Sequence, residues 1–221
     1  MRSRPISAPS VTHALSYRAV ALCAFALGAC STMTPTHFHT LMPGEVSARP
    51  ASAASAPSGA TAVILEPIRV PAQVDQPQWV VRLADDTVAV LEEERWASSL
   101  RDELREALLE ELIVSHGMVD ARTVPAPAAP PWRIAIDVRR FDSLPGREAR
   151  IEGSWTITGG VGARAASRCE WLWREPAAPG MTGLADAHRR ALSRLADAVA
   201  QAISGAQRGE TPACPALDER R

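Results

Sequence analysis

The sequence predicts an α+β fold, a single domain with a mostly antiparallel or mixed β-sheet covered on one side by two helices. Three observations predict it. Residues 132–141, 148–158 and 168–174 alternate apolar and polar side chains with a period of two, as half-buried strands do. Residues 100–115 and 184–204 instead repeat leucine and alanine at helical spacing. The two patterns are interspersed along one chain, and a one-sided sheet and an amphipathic helix each need the other's apolar face. A length of 221 residues suits one domain with flanking segments. The formal charge of −1 leaves no basic footprint for nucleic acid. All 24 basic residues are arginine, so Schiff-base, Ser–Lys and P-loop chemistry are excluded for want of a lysine.

The first segment is an address. Arg2, Arg4 and Arg18 precede an apolar run, Ala19 to Leu27, that ends in Gly28-Ala29-Cys30. A positive n-region, a short h-region and small residues before a cut site mark a secretory signal peptide over residues 1–29. The run is far short of the roughly 20 apolar residues that span a bilayer. Leu27-Gly28-Ala29-Cys30 resembles the bacterial lipobox, which implies diacylglycerol and an acyl chain such as palmitate on Cys30. Two or more chains make a stable anchor, at about 0.8 kcal/mol per buried methylene. Ser31 rather than aspartate follows the cysteine, which by enterobacterial sorting rules favours the outer membrane. Cleavage removes three arginines and no acid, so the formal charge goes from −1 to −4.

Residues 30–36 form the lipidated tether, residues 37–205 the domain and residues 206–221 a polar tail. Within the domain, His37 to Leu41 is a short first strand and residues 42–61, rich in Ala, Ser and Pro, are an extended loop. Ala62 to Val70 is β-rich and interrupted by Pro67. Residues 79–83 and 87–91 form a hairpin around Asp85-Asp86. Ser98 and Ser99 offer N-caps to a helix over 100–115, stopped by Gly117, with Leu100, Leu104, Ala107, Leu108 and Leu112 as its buried stripe. Arg101, Glu103, Arg105 and Glu110 fill its other positions.

The three alternating strands follow a Pro-rich loop over residues 124–131. Gly159, Gly160 and Gly162 turn the chain between the last two. Trp132, Trp155, Trp171 and Trp173 fit the apolar alternation and are core residues. Thr182 caps a closing helix over 184–204, and Gly205 ends it. Two cysteines remain once Cys23 leaves with the signal and Cys30 is acylated, and in an oxidising periplasm Cys169 and Cys214 are expected as a disulfide. A metal pair or a redox dithiol are the alternatives, without Cys-x-x-Cys spacing or nearby histidines to support them.

No catalytic constellation emerges. His37 and His39 share a strand face but have no acidic or thiolate partner nearby in sequence, so no metal site is assigned. His116 beside a helix C-terminus complements the dipole, and His188, next to Arg189 and Arg190, reads as solvated. Glu92-Glu93-Glu94 reads as a solvated charge run. There is no Gly-x-Ser-x-Gly elbow, and the Gly159-Gly160-Val161-Gly162 run joins strands rather than opening a helix. No cofactor and no enzymatic activity are expected.

Two stretches carry a resemblance. Ile68-Arg69-Val70-Pro71 with Asp75-Gln76-Pro77-Gln78-Trp79-Val80-Val81-Arg82, and Glu94-Arg95-Trp96-Ala97-Ser98-Ser99-Leu100, resemble segments of the PqiC-like ABC-transport auxiliary lipoproteins. His37-Phe38-His39-Thr40-Leu41 is similar to that family's short aromatic-Thr-Leu strand, with histidines where aromatics usually stand. The likeness runs from Phe38 to Ile203 and departs at Gln76, where a basic residue is usual, and in the short glycine-rich stretch 159–167. The resemblance implies a non-catalytic lipoprotein on the periplasmic face of the outer membrane. Its implied partners are an inner-membrane transporter and an MCE-domain protein that spans the periplasm, in lipid trafficking and envelope integrity. Homo-oligomerisation is an expectation from the family alone. Asp75, Pro77, Gln78, Arg82, Arg95 and Trp96 are the candidate partner-binding residues, with Arg and Trp the types enriched in interface hot spots. The alternative is a lipoprotein that braces or assembles another envelope complex.

Overall fold

Alternation of apolar and polar residues becomes long antiparallel strands in the computed structural model, which describes residues 34–44, 59–84, 87–124, 129–160, 167–210 and 214–218. The signal peptide, Cys30, the Asp85-Asp86 turn and most of the Ala/Ser/Pro loop lie outside the described residues. In chain order the elements are β1 (His37–His39), β2 (Ala62–Leu65), β3 (Gln78–Arg82), β4 (Val88–Trp96), α1 (Leu100–Val114), β5 (Val119–Asp120), β6 (Trp132–Leu144), β7 (Glu148–Gly159), β8 (Ser167–Pro176) and α2 (Gly180–Gln207).

The α+β class holds, with the strands divided between two mixed sheets. One has five strands in the order β5-β2-β6-β7-β8, and the other three in the order β1-β4-β3. The β3–β4 hairpin stays outside the five-stranded sheet, in which β6 pairs with β7 along its length and with β2 at Trp132, Arg133 and Ile134. It recruits β1 instead, which pairs in parallel with the end of β4 from His37↔Glu94 to His39↔Trp96. Strand β4 thus runs to Trp96, five residues beyond the expected end at Leu91, and carries Glu92-Glu93-Glu94 within the strand, with Glu92 and Glu93 solvated as expected and Glu94 half-buried.

On β7, Ala149, Ile151, Gly153, Trp155 and Ile157 are buried, while Glu148, Arg150, Glu152 and Thr156 face the other way and are half-buried. Helix α2 lies on the buried face, against β6, β7 and β8, and presents Leu184, Ala191, Leu195, Val199 and Ala202. Helix α1 packs on α2 and on β5. Trp171 lies across Gly153, its register partner on β7; a Cβ there would come within 2.6 Å of the Trp171 ring and 2.4 Å of the Asp137 carbonyl oxygen. Glycine is therefore the residue that lets the indole cover the sheet.

Helix ends depart from expectation in one case. Ser99 caps α1 as expected, accepting the Asp102 N–H, and Gly117 follows that helix at φ 64°. Helix α2 begins at Gly180, four residues before Leu184, so Thr182 lies inside it and Pro179 is the N-cap without a side-chain bond. Gly183 permits this start, since a Cβ there would meet the Ala178 carbonyl oxygen at 2.2 Å. At the other end the helix passes through Gly205, whose flank Ala202 and Ile203 stays buried, and stops before Gly209 at φ 77°.

Cys169 and Cys214 are joined by a disulfide, with Cα atoms 5.3 Å apart. Cys169 sits buried on the α2 side of β8 and Cys214 is exposed. A link across a sequence separation of 45 removes unfolded-state entropy worth about 4 kcal/mol. Residues 36–221 belong to one folded unit.

Candidate functional site

The parallel β1–β4 pairing and the loop before β3 create a cleft of about 370 Å³ lined by Phe38, Asp75, Pro77, Arg95, Trp96 and Ser98, among others. Trp96 forms a buried floor, packed against Trp79 with centroids 4.1 Å apart and planes tilted by 32°. Phe38 forms an exposed wall, 67% accessible although it is a large apolar residue on a short strand. It stands beside Arg95, its register partner on β4. The Arg95 Nε donates to the Glu92 carbonyl oxygen at 3.3 Å, and the residue lines the cleft. Asp75 is held by Arg101 from α1, and this neutralises the acidic side of the cleft.

Four of the six candidate partner-binding residues, Asp75, Pro77, Arg95 and Trp96, thus share one concavity. The other two lie outside it. Gln78 donates to Glu92 at 3.1 Å beside the cleft, whereas Arg82 at the far end of β3 turns inward to the buried Asp142 at 3.2 Å. Phe38 completes the site. It was legible as an aromatic on a short strand, but only the β1–β4 register brings it against Arg95.

One buried carboxylate holds the cleft in shape. Glu103, read from sequence as helix filler, is buried and accepts four hydrogen bonds: from the Thr40 hydroxyl at 2.7 Å, the Leu41 N–H at 2.8 Å, and the Ser98 N–H and hydroxyl at 3.0 Å each. It ties the exit of β1 to the start of α1, the two elements that flank the cleft. Its sequence signal was the position four residues after Ser99, in the first turn, where a carboxylate also meets the helix dipole. His39 adds a second tie, with Nε2 at 2.5 Å from Glu94.

His188 is the clearest correction. It was expected on a solvated face next to Arg189 and Arg190, yet it is fully buried, stacked on Phe141 with centroids 3.9 Å apart. Its Nε2 lies 2.8 Å from the Ser143 hydroxyl, which also accepts the Trp79 indole N–H at 2.8 Å. The helical stripe through Leu184, Ala191 and Leu195 includes position 188, which the polar neighbours obscured. Desolvation lowers the His188 pKa from 6.5 to about 3, so the ring is neutral at physiological pH. A serine–histidine contact that is sealed from solvent, with a base too weak to take a proton near pH 7, does structural and not nucleophilic work.

Among the described residues, no group of three or more His, Cys, Asp or Glu side chains is placed to hold a metal ion. Among them also, no helix is long and apolar enough to cross a membrane. Residues 45–200 match the family described as the ABC-type transport auxiliary lipoprotein component. The chain belongs to that family. Two solved structures share the auxiliary lipoprotein's fold. One is an uncharacterised protein at TM-score 0.61 and 16% identity, covering 77% of this chain and 99% of its own. The other, from Xanthomonas campestris and of the DUF330 family, aligns at TM-score 0.54 and 19% identity, over 71% of this chain and 91% of its own. No curated protein matches. The matched region contains the cleft from Asp75 to Ser99, and only Phe38 lies ahead of it.

Proposed function

We propose that this auxiliary lipoprotein is a non-catalytic, outer-membrane-anchored subunit of an MCE/ABC-type intermembrane lipid transport system. Cys30 carries the lipid, the folded unit faces the periplasm, and the cleft at β1 and β4 docks the periplasm-spanning MCE-domain partner of an inner-membrane transporter. The observation that carries this reading is the cleft itself. An exposed phenylalanine from β1 is gathered into one concavity with a buried tryptophan floor and an arginine from β4, whose hydrogen bond among the described residues is to backbone. Aromatic and arginine side chains in a pocket are the usual anchors of a protein interface. The anchor supports the same reading, since the domain starts at residue 37, a few residues past the acylated cysteine. The intervening chain, at up to about 3.6 Å per extended residue, reaches at most about 25 Å from Cys30 to residue 37.

Affinity capture of the acylated protein from solubilised envelopes tests the proposal. The wild type should recover an MCE-domain protein, and Arg95→Glu should cut that recovery about tenfold or more, as loss of a hot spot does, with an unchanged thermal melt. Undiminished recovery by the variant would remove the cleft from the interface. Recovery of a different envelope complex would instead assign the bracing role.

A further inference from the structure

Strand β8 closes one end of the five-stranded sheet, so among the described residues one side of its backbone has no neighbouring strand. A long open edge is a template for another strand. Here residues 214–218 lie along it. Asp218 satisfies the edge twice: its N–H donates to the Leu172 carbonyl oxygen at 3.0 Å, and its carboxylate accepts the Arg174 N–H at 2.8 Å. Arg194 of α2 grips that carboxylate through its two terminal guanidinium nitrogens, at 3.1 and 3.2 Å, while it lies over the Trp173 ring. At the other end of the segment the Cys169–Cys214 disulfide fixes it covalently to β8. Between the two fastenings stands Pro215, which has no N–H to offer a further strand.

We infer that residues 214–218 are a strap that prevents a second copy of this chain from adding its β8 to this edge, and that the disulfide is the pin of the strap. The edge is built to pair with itself. Leu172 and Arg174 direct backbone groups outward, so an antiparallel pair of β8 strands centred on Leu172 meets with matching donors and acceptors. In that register Glu170 of each copy faces Arg174 of the other, and Trp171 faces Trp173. Centring on Trp171 would oppose Arg168 to Arg174, and centring on Glu170 would oppose the two glutamates, and both arrangements are penalised by like charge. The product is a ten-stranded sheet across a two-fold axis, formed by chains that have not closed the pin.

The test uses the full-length protein in detergent. The release variant Cys214→Ser with Asp218→Ala should sediment at about twice the mass of the wild-type particle. Adding Glu170→Arg should abolish that gain, and adding Arg174→Glu to this triple variant should restore it by charge exchange. A release variant of wild-type mass, or association indifferent to Glu170→Arg, overturns the inference. Asp218→Ala alone keeps the disulfide and guards against a misfolded variant. It should speed hydrogen exchange at the Arg174 amide about tenfold with β6 and β7 amides unchanged, and an unmoved Arg174 amide shows that the strap does not hold the edge.

Discussion

His188 shows how one side chain couples the core to pH. The unfolded chain takes up a proton there near pH 6.5, the folded chain only near pH 3. Between those values the unfolded state binds the extra proton, so acid favours unfolding; the contribution is fully present above about 6.5 and lost as pH falls. Phe141, Trp79 and the Ser143 hydroxyl contact the ring, and its burial disfavours an imidazolium. His188→Gln should cost about 1–3 kcal/mol at pH 7.5 through lost stacking and packing. The gap between variant and wild type should narrow by up to about 1.4 kcal/mol per pH unit below pH 6.5. Urea titrations at several pH values measure this, and parallel wild-type and variant curves would show that His188 is not the acid-sensitive group. Glu103 teaches the same lesson from the opposite side. A residue of ordinary surface type was placed inside by four donors from two segments: Ser98, five residues before it, and Thr40-Leu41, which sequence spacing does not connect to it.

At the scale of elements, period and propensity carried most of the fold. The three long strands and α1 stand within a few residues of where alternation and the Ser99 cap predict them. What escaped was set by partners distant in sequence. The two-residue β5 exists because β2 offers a parallel edge, and β4 runs on through three glutamates because β1 pairs there. The start of α2 depends on how closely the chain can cross at Gly183, and its stop on Gly209 rather than on the buried Gly205. Gly153 is a second such close crossing, this time within the sheet. Gly153→Ala should destabilise by about 1–3 kcal/mol, since neither the Asp137 backbone nor the packed Trp171 ring can yield cheaply. Thermal unfolding with near-ultraviolet dichroism should show the tryptophan signal perturbed; a neutral variant would mean that the Trp171 indole swings clear.

For the whole molecule, location and architecture answer different questions. The anchor reading requires Cys30→Ala to release the protein from sedimented membranes into the soluble fraction, with its disulfide intact by non-reducing mass spectrometry. A variant that still sediments would place the membrane attachment elsewhere. The candidate cleft was half legible. Asp75, Pro77, Arg95 and Trp96 were chosen by residue type and family resemblance, and they converge; Arg82 was chosen on the same grounds and faces the core. Residue type cannot tell the two cases apart, because an arginine that anchors a partner and one that neutralises a buried aspartate look alike until the strands are paired.

By itself the sequence determined the α+β class, the long strands and amphipathic helices, the lack of lysine chemistry, and the pair of cysteines left once Cys23 and Cys30 are set aside. These are local matters of periodicity, composition and count, read within a few residues of where they act. Only the tertiary structure decided that the strands divide into two sheets, that Phe38 joins Arg95 and Trp96 around one cleft, and that His188 and Glu103 are buried. It alone laid residues 214–218 along β8. Each of these rests on a contact between segments far apart in the chain. The free energy of such a contact depends on burial and on which donors and acceptors are already taken, and neither quantity is present in the local pattern.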